Sequence, residues 1–300
     1  RNTTDNSLYQ GAYPINDDIK FRLVQFRSGI KVPFYGSLFD LSVTRQWYRA
    51  FIQEEVMTNE YGRLEAGAAY DYFRGWSINS SWSLNIIKNA LDRSINPSKG
   101  FTIKALFDLE KNDFIEGLNL SDSGTLLEEF KPNDLARFQI NGTYHYELPW
   151  KKRWTISLKG HAGWINKQNV DPFFHFYLGG IPGLKGYPFY SIQGTKSSFI
   201  DAIFRIPVFR ERHYKFKWMI FQNSTLGAIF QAGDAWTDDF LIKRSLGIQW
   251  RLNGFSFYNF PTAIELEYHQ PLDKFEKEIN EENILYGDKG RAYLKILFDF

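Results

Sequence analysis

The sequence predicts an all-β fold, a transmembrane antiparallel β-barrel of about twelve strands. Apolar and polar residues alternate with period two along most of the 300 residues, which is the side-chain period of a strand. Several alternating segments run to ten residues or more, and a tilted membrane-spanning strand needs about 9 to 11. Aromatic residues make up 18% of the chain, an excess that suits the aromatic girdles of membrane barrels.

Composition argues against several other classes of protein. No apolar run approaches the ~18 residues of a membrane-spanning helix. A net charge of +2 does not suggest a nucleic-acid partner. The chain has no cysteine, so it has neither a disulfide framework nor a cysteine metal site. It begins at Arg1 without a signal peptide, and we therefore expect that an N-terminal part has been removed.

The alternation is clearest at 76–86, where the even positions are mostly tryptophan, isoleucine and leucine and the odd positions are serine and asparagine. Such a segment has one apolar and one polar face. The same pattern predicts further strands at 20–33, 37–49, 64–73, 101–110, 136–148, 154–164, 200–208, 218–235, 246–252 and 264–269. The alternation is less regular in the segments before position 50 and at 218–235.

The last predicted strand is 291–300, and it ends the chain on an aromatic residue. One of its faces is apolar and the other carries Lys295 and Asp299. An outward aromatic residue is stable at the edge of the hydrocarbon region. We therefore expect Phe298 and Phe300 to form a terminal signal by which the barrel is itself assembled.

The connections differ in length in a regular way. Long connections at 111–134, 166–196 and 271–289 fall mainly on one side of the predicted sheet, and short ones such as 149–153 fall on the other. This is the arrangement of outer-membrane barrels. A soluble β-sandwich also alternates, with its polar face outward, and is the alternative fold.

Residues 172–190 interrupt the alternation with four glycines, three prolines and many aromatic residues. Glycine permits positive φ and proline fixes φ, so a loop of defined shape is predicted, with Gly179, Gly180 and Gly183 as the shaping residues. An external loop tip is normally polar. We therefore expect the loop at 166–196 to fold inward and to pack inside the barrel.

This loop also resembles one in a known family. The run Pro172-Phe-Phe-x-Phe-Tyr-x-Gly-Gly180, followed by Leu184-Lys-Gly-Tyr187, is similar to the sixth extracellular loop of the BamA-type superfamily, also called the bacterial surface antigen family. Those proteins are outer-membrane assembly and translocation barrels. The resemblance extends over about 90–300, through segments similar to family strands and turns at Leu91–Phe101, Ile229–Trp236, Arg244–Arg251 and Ala263–Leu272.

The resemblance implies how the loop is held. In the family, an Arg-Gly-Phe-like tip enters the lumen, and its arginine contacts an acidic residue on a barrel strand. Here the tip is Lys185, Gly186 and Tyr187, and the receiving strand supplies Gln231 and Gly233, with Gln231 in place of the family's aspartate. A lysine and a glutamine can share a hydrogen bond but not a bidentate ion pair.

The resemblance further implies a non-enzymatic protein of a Gram-negative type outer membrane that inserts or exports other proteins through a lateral seam between its first and last strands. Family barrels have sixteen strands and periplasmic domains, so we expect this chain, one barrel domain over 1–300, either to be incomplete at its N-terminus or to be a smaller relative. The implied partners are outer-membrane lipids, client outer-membrane proteins, and periplasmic or lipoprotein partners.

No hydrolase or phosphate-loop motif occurs in the sequence, so no catalytic residue, cofactor or metal is assigned. Two alternative functions stay open. One is the membrane anchor of a larger protein whose missing N-terminal domain carries the activity. The other is a passive outer-membrane pore or transporter.

Overall fold

The structure is a computed structural model, which describes residues 19–59, 62–87, 97–120, 126–151, 153–210, 212–257, 260–279 and 282–298. Within these residues the fold is all-β, and its main feature is one antiparallel sheet of thirteen strands. This confirms the predicted fold class. No helix in the described ranges is long and apolar enough to cross a membrane.

The strands are β1 (Ile19–Phe34), β2 (Ser37–Asn59), β3 (Gly62–Ile87), β4 (Gly100–Leu120), β5 (Leu126–Pro132), β6 (Leu135–Glu147), β7 (Thr155–Ile165), β8 (Phe176–Tyr177), β9 (Gln193–Gly194), β10 (Lys196–Phe209), β11 (Tyr214–Phe216), β12 (Met219–Trp236), β13 (Lys243–Ser256), β14 (Phe260–Pro271), β15 (Phe275–Ile279), β16 (Glu282–Tyr286) and β17 (Arg291–Phe298). The sheet follows the order β1-β2-β3-β4-β6-β7-β10-β12-β13-β14-β17. Outside this path, β5 pairs with β4 and β11 with β12, while β8–β9 and β15–β16 form two small hairpin sheets.

The faces of the sheet are inverted relative to a soluble protein. On β3, Ile78 is 48% exposed, whereas its polar neighbour Ser77 is 4% exposed. The apolar positions of the alternation thus point outward and the polar positions point into the interior. A soluble sandwich would bury the apolar face, so this arrangement is that of a membrane barrel.

The two ends of the sheet differ as the sequence predicts. At one end, β1 and β2 join through Tyr35 and Gly36, whose φ values of 43° and 78° suit a two-residue hairpin turn. The other end carries the loop between β7 and β10. The expected loop at 111–134 is instead largely strand, because β4 continues to Leu120 and pairs with β5. Strands that rise beyond the apolar band need no apolar face, so alternation does not reveal them.

The apolar core lies between the inserted loop and the inner wall of the sheet, and not between two layers of sheet. The described core cluster contains fourteen buried apolar residues, of which seven belong to the loop: Val170, Phe174, Phe176, Leu178, Leu184, Tyr187 and Ile192. The loop contacts β3 and β4 at one point and β12, β13, β14 and β17 at another. The sheet therefore curves around it, and β1 and β17 are the edges of the described sheet.

Candidate functional site: an inserted loop held on two walls

The tip of the inserted loop is a compact turn closed by its own backbone. The N–H of Gly180 donates to the carbonyl oxygens of Leu184 at 3.1 Å and Tyr187 at 2.9 Å, and the N–H of Gly183 donates to the carbonyl of Gly180 at 3.2 Å. Gly179 forms a backbone bridge with Leu184. Gly180 has a φ of 78°, a value that favours glycine. The three glycines assigned to loop shaping thus lie together at this turn.

Gln231, which is fully buried on β12, contacts the tip through its side-chain amide. Its Oε1 accepts from the backbone N–H of Lys185 at 2.9 Å, and its Nε2 donates to the carbonyl of Gly183 at 3.3 Å. Nε2 also donates to Oδ2 of Asp201 at 3.0 Å, and Oε1 accepts from the hydroxyl of Ser245 at 3.1 Å. An ionised aspartate at position 231 would have no donor, so it could not donate to the carbonyl of Gly183 or to the carboxylate of Asp201.

The ammonium group of Lys185 forms an ion pair with a residue on a different strand, β14. Its Nζ lies 2.7 Å from Oε2 of Glu267 on β14, and both side chains are buried. Lys295 on β17 lies 2.8 Å from the same carboxylate oxygen and 2.9 Å from Glu265. The other oxygen of Glu267 accepts from Nε2 of Gln249 at 2.7 Å. The loop tip is therefore tied by charge to the last two strands of the sheet.

Gly186 and Tyr187 lie against the start of β13. A Cβ atom at Gly186 would stand 2.8 Å from the Cβ of Ser245, so the close approach requires glycine. The hydroxyl of Tyr187 lies 2.9 Å from the carbonyl oxygen of Arg244 and 3.0 Å from that of Asp273. Burial raises the pKa of Tyr187 to about 12, which keeps this phenol a neutral donor.

The start of the loop is held on the opposite wall by aromatic packing. A single 3-10 turn, Pro172–Phe174, begins after Asp171, whose carboxylate accepts from the backbone N–H of Phe173 at 2.8 Å. The turn places the ring of Phe174 with its centroid 5.9 Å from those of Phe73 on β3 and Phe114 on β4. This contact is nearly dry, since Phe174 is 3% exposed.

A β-bulge shapes this wall. Tyr48 pairs with Phe73, but the next residue, Arg49, pairs with Asp71, which leaves Tyr72 as an extra residue on β3. A bulge disturbs the strict alternation of side chains. As a result, the consecutive residues Tyr72 and Phe73 are both buried, and the rings of both lie near Phe173 of the loop.

Sequence reasoning did not name several residues of this site. Glu267 and Lys295 were missed, although Glu265 and Glu267 stand two residues apart on one face of β14, a pattern that signals an acidic patch in the interior.

Of the residues that the sequence did predict, Gly233 lies on β12 packed against Phe199 of β10. Phe298 is exposed on β17.

Two parts of the predicted site fall where the structure gives no placement. Phe300 lies outside the described residues, and so do residues 91–96 of the predicted turn. In the part of the chain that is described, no group of three histidine, aspartate or glutamate side chains could hold a metal ion.

An apolar outer face, a polar interior and a loop packed into that interior define a transmembrane β-barrel with an inserted loop. The sequence matches the Omp85 superfamily domain over residues 5–228, about three quarters of the chain, and the chain belongs to this superfamily. It is a family of outer-membrane barrels of the protein-assembly and translocation type. The family resemblance identified from the loop is thereby confirmed. A search of curated proteins finds no match to this chain.

Proposed function

We propose that this chain is an outer-membrane barrel that inserts or exports other proteins through a lateral seam between its edge strands. The observation that carries the proposal is the inserted loop, whose tip residues Leu184 and Tyr187 are 0% exposed and whose start and tip are held on opposite walls. A loop packed along the interior obstructs the axial route, which favours traffic through the edge of the sheet.

The edge strands support this route. Within the described residues, β17 pairs with β14 over eight residues, whereas β1 at the other edge pairs with β2 over sixteen. A short edge strand is easier to displace, and an exposed edge offers backbone groups that an extended segment can pair with. We propose that a strand of the client protein adds to β1 or β17, and that Lys185, Gly186 and Tyr187 keep the loop inserted, with Gln231 and Gly233 on the receiving strand.

Site-specific crosslinking tests this function directly. The chain has no cysteine, so introduced cysteines are unambiguous. Val24→Cys on β1 and Ile296→Cys on β17 report on the edges, and Ile140→Cys on β6 is the control in the middle of the sheet. The full chain in liposomes is mixed with a urea-denatured outer-membrane barrel that carries one cysteine in its last strand.

We expect faster folding of the client, read as the heat-modifiable band on a gel, and disulfide-linked client only at the edge positions. Equal crosslinking at Ile140→Cys, or a client folding rate equal to that in empty liposomes, would contradict the proposal.

A polar cavity favours a second candidate function, that of a passive pore. Its volume is about 440 Å³, and its walls on β1 to β4 include Arg27, Lys31, Asp40 and Asp108. Such a hydrated region could admit small solutes beside the loop. Planar-bilayer conductance with a defined ion preference, together with no effect on client folding, would favour the pore over the insertase.

A further inference from the structure

A groove lies on the outward face of the sheet, the face opposite to the one on which the inserted loop packs. Its volume is about 260 Å³, and its lining residues are Arg22, Val24, Trp47, Arg49, Phe51 and Asp71. A phosphate group with part of an attached headgroup fits this space. Guanidinium groups at the rim and aromatic or aliphatic walls give the groove both charge and apolar surface.

Two like charges face each other across this groove. Arg22 on β1 is the direct cross-strand partner of Arg49 on β2. Like charges directly opposite in a sheet are destabilising. Arg49 lies 3.3 Å from Asp71, and within the described residues Arg22 has no ion pair with a carboxylate. Asp71 already offsets the charge of Arg49, so an anion bound at Arg22 would offset the charge of the pair that lacks a carboxylate partner.

A third arginine, Arg45, extends the basic surface two rows along the strands from Arg49. The guanidinium of Arg45 lies 4.8 Å from the ring centroid of Trp47 and 5.0 Å from that of Trp76. Stacking on aromatic rings holds the guanidinium in place while its in-plane N–H groups stay free to bind phosphate oxygens. Exposed Lys111 on β4 is the cross-strand partner of Trp76 and adds a further positive charge.

The depth of this surface matches the headgroup level of a bilayer. On β3, the outward positions from Ile78 to Ile86 are mostly apolar and exposed. The ten residue steps from Trp76 to Ile86 rise about 33 Å along the strand, or about 25 Å at a tilt of ~40°. That height equals the ~25 Å apolar band of a membrane barrel. Arg45 and Trp76 therefore lie at one boundary of the band, on the side of the inserted loop.

We propose that the surface formed by Arg22, Arg45, Trp47 and Arg49 binds the phosphorylated headgroup of a lipid in the leaflet on the long-loop side. The arginines supply charge-assisted hydrogen bonds to phosphate oxygens, and the tryptophan packs against the apolar part of the same lipid. Charge complementarity selects the phosphate, and the adjoining apolar band selects a lipid over a free anion. This site does not depend on whether the barrel inserts client proteins.

Lipid retention by the full chain in detergent tests the site. The probes are diphosphoryl lipid A and phosphatidylcholine, added separately and counted by native mass spectrometry. The test variant is Arg22→Gln/Arg45→Gln/Arg49→Gln. The matched control is Lys151→Gln/Lys215→Gln/Lys217→Gln, which removes the same charge from exposed residues at the short-turn end. Heat-modifiable gel mobility shows that each variant is folded.

We expect the wild type and the control to retain diphosphoryl lipid A at concentrations about tenfold below those needed for phosphatidylcholine, a difference of about 1.4 kcal/mol. The arginine variant should lose this preference. Equal retention of both lipids by the wild type, or unchanged retention by the folded arginine variant, would overturn the proposal. Displacement of lipid A by an equal concentration of inorganic phosphate would also overturn it, because the surface would then be a site for free anions.

Discussion

The ammonium group of Lys185 lies 2.7 Å from the carboxylate of Glu267, which is 82 residues further along the chain. The backbone of Lys185 is received by Gln231 on β12, whereas its charge is received on β14. The hydrogen-bond acceptor for the backbone of Lys185 and the negative charge for its side chain thus come from two different strands. Because Lys295 also lies 2.8 Å from Glu267, the loop, β14 and β17 share one charge cluster.

Lys185→Ala should loosen the loop tip. Removing one partner of a buried ion pair costs ~3–5 kcal/mol when the remaining charge is left alone. Here Lys295 still neutralises Glu267, so we expect a smaller loss of about 1 to 3 kcal/mol. Chymotrypsin, which cleaves after aromatic residues that are not followed by proline, should then cut the loop after Tyr190. Lys167→Ala, an exposed position in the same loop, is the control and should stay resistant. Unchanged cleavage of Lys185→Ala would show that the ion pair does not hold the tip.

Gln231→Asp should destabilise the barrel, although the family usually has aspartate at this position. The variant loses the donor to Gly183 and brings a second carboxylate close to Asp201, which now accepts from the amide at 3.0 Å. An unsatisfied buried group costs about 1 to 3 kcal/mol. Adding Asp201→Asn should recover part of the loss, since it removes the like-charge contact. The unfolding temperature on heat-modifiable gels measures both effects, and no recovery in the double variant would refute the repulsion.

Phe174→Ala should release the start of the loop from the opposite wall. Truncating a buried phenylalanine costs about 3 to 5 kcal/mol. We expect faster hydrogen exchange at the long-loop ends of β3 and β4, where Phe73 and Phe114 lose their contact. Phe189→Ala is the matched control, because Phe189 is 51% exposed in the same loop. Equal exchange in the two variants would mean that the aromatic contact contributes little.

The contact between Arg244 and Asp273 should make the loop side of the barrel sensitive to acid. Two hydrogen bonds from the Arg244 guanidinium, at 2.8 and 3.0 Å, hold the pKa of Asp273 below its usual range. The stability from this pair is therefore present above the ordinary aspartate pKa of about 4 and is lost as the pH falls through the lower folded value.

Asp273→Asn tests this pH dependence, because it lacks the charge at every pH. The difference in unfolding temperature between wild type and variant should be constant from pH 7 to about pH 5 and should shrink below about pH 4. Glu276→Gln, an exposed neighbour, should show no such difference. A difference that is independent of pH down to full acid unfolding would exclude the ion pair as its cause.

Sequence alternation was sufficient for the architecture, because the membrane imposes one apolar face on every spanning strand. It placed Ile78 outward and Ser77 inward, as the structure has them. It also gave the position of the inserted loop, since glycines and aromatic residues break the period. Alternation carries no information on which strands face each other across the interior, and for that reason Glu267 was not identified as the partner of Lys185.

Local irregularities were equally hidden from the sequence. The bulge at Tyr72 shifts the inward face of β3 by one position, which no period-two pattern can represent. The β15–β16 hairpin lies within the long connection predicted at 271–289, and alternation does not reveal it because Glu276 and its charged neighbours need no apolar partner above the membrane.

The bulge on β3 also joins two surfaces that are otherwise separate. Asp71 points outward to the rim of the arginine groove, whereas Tyr72, the next residue, is buried beside Phe173 of the loop. The groove on the outside of the barrel and the aromatic contact on the inside are therefore one residue apart along β3.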